Sequence, residues 1–92
     1  MLKLTGYSSQ QIQESAIATL FASAARVAVL RVFLLDPMRP YYQRQLEAIT
    51  GLPIRAIQRE VDRLTTVGLL YRWAEGNRAY YQVDIEFALF AE

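Results

Sequence analysis

Residues 42–83 read YQRQLEAITGLPIRAIQREVDRLTTVGLLYRWAEGNRAYYQV. The segment divides into a short helix, a tight turn, a longer helix and a two-stranded hairpin. The longer helix is bounded by Pro53, which suits a first helical turn, and Gly68, which suits a left-handed cap. Between them Ile54, Ile57, Val61 and Leu64 recur at helical spacing and form one apolar stripe. Arg55, Arg59 and Arg63 lie on the far side, one turn apart. Glu60 and Asp62 relieve part of the repulsion in that row, with Glu60 in i,i+3 reach of Arg63. Such a row can be a solvated polar face. It can also be the set of guanidinium groups that a helix presents to phosphates and guanine edges in a major groove.

This order of elements predicts a winged helix-turn-helix: mainly α, with a three-helix core, an N-terminal helix and a small antiparallel β wing. The chain has 92 residues, enough for one domain spanning 1–92. In it, residues 8–35 hold the N-terminal helices and the expected dimer surface, and 42–83 hold the helix-turn-helix and wing. A domain this small buries only about 60–65% of its unfolded surface. With 53% hydrophobic residues, a partner surface is therefore expected.

The net charge of +1 does not point to nucleic acid, but its distribution does. From Arg39 to Val83 seven basic residues face four acidic ones, giving +3, while the remainder holds three basic and five acidic, giving −2. Nine of the ten basic residues are arginine, which pairs bidentately with phosphate and guanine. There is no cysteine, so no disulfide or thiolate metal site. There is no histidine, the usual general base and commonest zinc ligand. No metal or other cofactor is expected. Nothing resembles a signal peptide, and a cytoplasmic location is the expectation.

Met1–Tyr7 reads as a loose arm. Ser8 or Ser9 can cap a helix starting near Gln10, amphipathic through Ile12, Ala16, Ile17, Leu20 and Phe21. Ser23 reads as a second N-cap, opening a helix over Ala24–Leu35 that Asp36-Pro37 stops. Val27, Leu30 and Leu34 form one stripe of this helix, and Val29 and Phe33 another roughly opposite. A helix apolar nearly all round is buried on more than one side, so one face is expected to meet the core and another a second subunit. Ile12, Ile17, Leu20, Phe21, Val29 and Phe33, with Phe87 and Phe90 near the C-terminus, are the expected dimer contacts. Ala16–Leu35 also invites a membrane-span reading, but two arginines inside it would cost about 2.5–3.5 kcal/mol each near a bilayer centre.

Met38–Tyr41 reads as a connector or single edge strand limited by Pro40. The helix over Tyr42–Thr50 places Tyr42, Leu46 and Ile49 on one face, with Gln43, Arg44 and Glu47 pointing away. Leu52 plugs the turn. Past Gly68 the period becomes alternating, with Leu69, Tyr71 and Trp73 on one face and Leu70 and Arg72 on the other. Ala74-Glu75-Gly76-Asn77 supplies the hairpin turn. Ile85, Phe87, Leu89 and Phe90 make a short docking segment.

With these residues in view, the chain resembles the ArsR-type winged-helix transcriptional regulators. Within them it is most similar to small bacterial and archaeal members that stand alone or precede a nucleotidyltransferase domain. The resemblance rests on LFASAARVAVLRVFLL, YYQRQLEAITGLPIRAIQREVDRLTTVGLL and EGNRAYYQVD, and covers roughly Leu20 to Phe90. It implies a homodimeric DNA-binding repressor or regulator whose Pro53–Val67 helix reads the duplex. Three departures stand out. The cysteines and histidines of metal-sensing members are absent. Glu47, after Leu46 of the first motif helix, stands where many relatives have a small residue, which bears on the packing between the two motif helices. No nucleotidyltransferase residues are present.

The expected function is sequence-specific binding of double-stranded DNA by a homodimer. Arg55, Gln58 and Arg59 are the candidates for base edges, and Ile54, beside Pro53, for a thymine methyl. Tyr41, Arg44, Arg63, Arg72 and Arg78 are the candidates for phosphates, with Asn77 at the wing tip. The alternative is a winged-helix protein-interaction module without DNA binding. An enzyme is not expected, because carboxylates and tyrosines are scattered without a spacing that assembles a site.

Overall fold

The computed structural model describes residues 8–90, so the arm expected over Met1–Tyr7 lies outside the described residues. The architecture is mainly helical with a small antiparallel three-stranded sheet. Its elements are α1 (Ser9–Leu35), β1 (Tyr41–Tyr42), α2 (Gln43–Thr50), α3 (Ile54–Thr66), β2 (Leu70–Glu75), β3 (Arg78–Val83) and α4 (Ile85–Phe90).

α1 corrects the sequence reading. It is one helix of 27 residues, and Ser23 caps nothing. A serine can cap or sit within a helix. Here alanines at 18, 22, 24 and 25 surround it with strong helix formers, and no glycine or proline breaks the run. The start is a capping box: the Ser8 hydroxyl accepts from the Gln11 N–H at 3.1 Å, and the Gln11 side chain accepts from the Ser8 N–H at 2.8 Å.

One stripe of α1 is buried in the core, with Leu30 and Val32 half-buried against it. Ala25, Val29 and Phe33, four apart, are buried, and the Phe33 ring meets Tyr41 edge-on at 5.4 Å. Val29 and Phe33 are therefore core residues and not dimer contacts. The opposite side is open: Ile17, Leu20, Val27 and Leu34 are 52%, 69%, 64% and 47% exposed. By length and composition α1 is apolar enough to cross a membrane. An 18-residue window has mean hydropathy 1.8, and 22% of it is buried within the chain. A mostly buried core helix of a soluble protein and a signal sequence share that length and composition.

α3 forms within one residue of its expected bounds. Its buried residues are Ile57, Glu60, Val61 and Leu64, with Ile54 half-buried against the same core. The helix ends in a Schellman motif: Leu69 N–H donates to the Leu64 carbonyl at 2.9 Å, and Gly68 N–H to the Thr65 carbonyl at 3.1 Å. Gly68 has φ +90°, where a side chain is strained.

α2 contributes Leu46 to the core, while Ile49, expected beside it, is 55% exposed. Tyr42 ends β1 and precedes α2, its N–H donating to the Gln45 side chain at 3.0 Å. β1 turns the expected two-stranded hairpin into a sheet ordered β1-β3-β2, with Tyr41 opposite Tyr81 and Tyr42 opposite Tyr80. β2 alternates as expected, and the face that turns inward is that of Leu70, not the more apolar one of Tyr71 and Trp73. Leu70 and, across from it, Val83 are buried with Tyr81, whereas Tyr71 is exposed. Tyr71, Trp73 and Tyr80 instead stack along the outer face, with centroids 5.7 and 6.0 Å apart. The hairpin closes through Gly76 and Asn77, with positive φ at Gly76 alone, the pattern of a two-residue turn that matches strand twist.

Candidate nucleic-acid interface

The sequence candidates for DNA contact that are left outside the core fall into two groups. The first is the outer face of α3. Because Ile57, Glu60, Val61 and Leu64 point inward, Arg55, Gln58, Arg59, Asp62, Arg63 and Thr66 form one continuous exposed face. Their spacing of three and four residues stacks them over successive turns. Three arginines and one aspartate leave this face positive. Pro53 is exposed at its N-terminal end, and Ile54 is half-buried at its margin.

The second group lines an open groove of about 360 Å³ between the start of α2 and the β2–β3 hairpin. Arg44, Arg72, Asn77 and Arg78 meet there, together with Tyr42, Gln43, Ala79 and Tyr81. Arg78 lies over the Tyr42 ring, 4.1 Å from its centroid, a cation–π distance that limits where its guanidinium can swing. Arg44 pairs with Glu47 at 2.8 Å, yet its side chain remains 71% exposed. Glu47 is thus accommodated at the half-buried edge of α2. Gln43 was not among the sequence candidates. Its amide donates to the Tyr81 hydroxyl at 3.2 Å, tying α2 to β3 across the groove.

Two sequence expectations fail here. Tyr41, expected on a phosphate, is buried against Phe33 because β1 pairs with β3 and turns its ring inward. Glu60, expected on the solvated side of α3, is fully buried. One oxygen of its carboxylate, Oε1, accepts from Nε of Arg26 at 3.0 Å. The other, Oε2, has no hydrogen-bond partner and lies 3.9 Å from Nε of Arg59. The pairing is with Arg26 and Arg59 rather than with Arg63.

Of the expected dimer contacts, Ile12, Ile17, Leu20 and Phe21 are exposed along the N-terminal half of α1. Phe90 is open, while Phe87 is partly covered against Gly68. Among the described residues no group of three or more His, Cys, Asp or Glu side chains could hold a metal ion. No protein-family model matches the chain, and no curated protein is significantly similar to it.

Proposed function

We propose that this chain is a winged helix-turn-helix that binds double-stranded DNA as a homodimer and regulates transcription, acting as a repressor in the cytoplasm. In this reading α2, the Gly51–Pro53 turn and α3 are the helix-turn-helix, and β2 and β3 are the wing. The observation that carries it is the outer face of α3. Three arginines and a glutamine stand exposed on a helix whose opposite side is locked into the core. A reading helix needs a fixed back and a polar front. Arg55, Gln58 and Arg59 are assigned to base edges, and Arg63, Arg44, Arg72 and Arg78 to phosphates.

The homodimer is supported by the open side of α1. Ile17, Leu20, Ala24, Val27, Arg31 and Leu34 alternate spacings of three and four residues, the seam that one helix presents to another. All six are exposed in the single chain. A dimer would place the two α3 helices in successive major grooves, about 34–36 Å apart.

Selection of bound duplexes from a random pool, followed by titration, tests the reading. Arg59→Ala is expected to lower affinity for the selected duplex by at least about 1 kcal/mol at fixed salt. Binding should weaken steeply with salt, with a log–log slope near −5 for about six phosphate contacts per dimer. No enriched sequence, or a flat salt response, overturns the proposal. A dimer without DNA affinity would favour a protein-interaction module, and a chain that partitions into vesicles would favour the membrane role of α1.

A further inference from the structure

We propose that Glu60 is a positioning residue that holds Arg59 in a base-reading orientation; this rests on the DNA-binding reading above. Glu60 is the one buried charged side chain among the described residues, and it sits on α3 in a helix–helix contact that an apolar residue would fill at lower cost. Arg26 of α1 satisfies only one of its oxygens. The second oxygen is buried, lacks a hydrogen-bond partner, and has the Arg59 Nε as its near cation.

Which atom of Arg59 faces the carboxylate matters. A guanidinium approached at Nε keeps both terminal nitrogens for another partner. That edge carries the paired N–H groups that fit O6 and N7 of guanine. At 3.9 Å the pair is an ionic contact and not a hydrogen bond, so it steers the group without consuming its donors. The Arg59 side chain stays 56% exposed. Arg55 and Arg63, its neighbours on the same face, have no carboxylate within 4.0 Å among the described residues. Arg59 is thus the arginine of the row with a buttress behind it, and Arg26 anchors that buttress to α1. A supported side chain loses less freedom on binding and discriminates better.

Two measurements test this. The first needs no DNA: ¹⁵N relaxation of arginine Nε–H groups in the free chain. The Arg59 Nε–H is expected to be more ordered than those of Arg55 and Arg63, and to become as mobile as they are in Glu60→Gln. The second is a double-mutant cycle on the selected duplex. Glu60→Gln should weaken binding at least about 4-fold when Arg59 is present, and by no more than Arg59→Ala itself does, but less than about 2-fold in an Arg59→Ala background. A scaffold role alone would weaken both backgrounds equally. Should Glu60→Gln fail to fold, Glu60→Met fills the same space without charge and enters the same cycle. Equal losses in the two backgrounds, or an Arg59 as mobile as its neighbours in the free chain, overturn the proposal. An ordered Arg59 in a chain that enriches no duplex overturns the DNA reading and the reader role with it, leaving only the ion pair.

Discussion

Phe21 and Phe33 lie twelve residues apart on α1, and truncating each should have opposite consequences. Phe33 is fully buried, with Tyr41 edge-on to it. Phe33→Ala removes a core ring and is expected to cost about 3–5 kcal/mol. A chain of 92 residues has total stability of only about 5–14 kcal/mol, so the urea midpoint should fall by about a fifth or more. Phe21 is 73% exposed. Taking about 200 Å² for the ring, about 150 Å² is available to a partner. At 25 cal/mol per Å² that is up to about 3.7 kcal/mol per copy. Buried area converts incompletely to affinity, so about 2 kcal/mol per dimer is a conservative expectation, or about 30-fold in the dissociation constant. Sedimentation equilibrium reads the second effect, and urea unfolding at a concentration where the chain is monomeric reads the first. The face assignment is refuted if Phe21→Ala leaves the association constant unchanged. It is equally refuted if Phe33→Ala lowers association while the monomer keeps its midpoint.

Two further outcomes follow from the backbone and the core. Gly68→Ala should destabilise the fold by about 1–2 kcal/mol, more than Gly51→Ala at about 1 kcal/mol. Both residues have positive φ, but only at Gly68 would the new Cβ meet a side chain, Phe87 at 3.3 Å; equal midpoints for the two variants would contradict this. Tyr41→Phe should leave DNA affinity and its salt slope unchanged, because the ring is inside, and a loss of one phosphate contact in the slope would return Tyr41 to the interface.

How far the sequence could be read depended on whether the deciding contact was local. α3 was legible because its apolar spacing and its flanking Pro53 and Gly68 are neighbours along the chain, and the exposed arginine row follows from the same periodicity. The groove residues Arg44, Arg72, Asn77 and Arg78 were also named from sequence, since turn chemistry placed the hairpin. Misreadings arose where partners are distant. Tyr41 turns inward because of Tyr81, forty residues on. Glu60 is buried because Arg26, 34 residues earlier, can meet it; a lone acidic residue in a helix otherwise reads as solvated. The phase of β2 was ambiguous because Leu69 and Leu70 are both apolar, and the pairing of Leu70 with Val83 decides between them. On α1 the opposed stripes were visible, but only the fold shows that Val29 and Phe33 face the core.

The absence of a joint at Ser23 sets a rule of phase. With 3.6 residues per turn, adding one residue there would swing the segment from Ser9 to Ala22 through about 100° relative to everything after it. The bundle beneath would be undisturbed, yet Ile17, Leu20 and Phe21 would look in a new direction. Seven added residues would bring them back to within about 20°. The segment from Ser9 to Ala22 can therefore change length without cost to the interior, but only in whole steps of the helical pitch can it do so and still present its greasy strip to the same quarter.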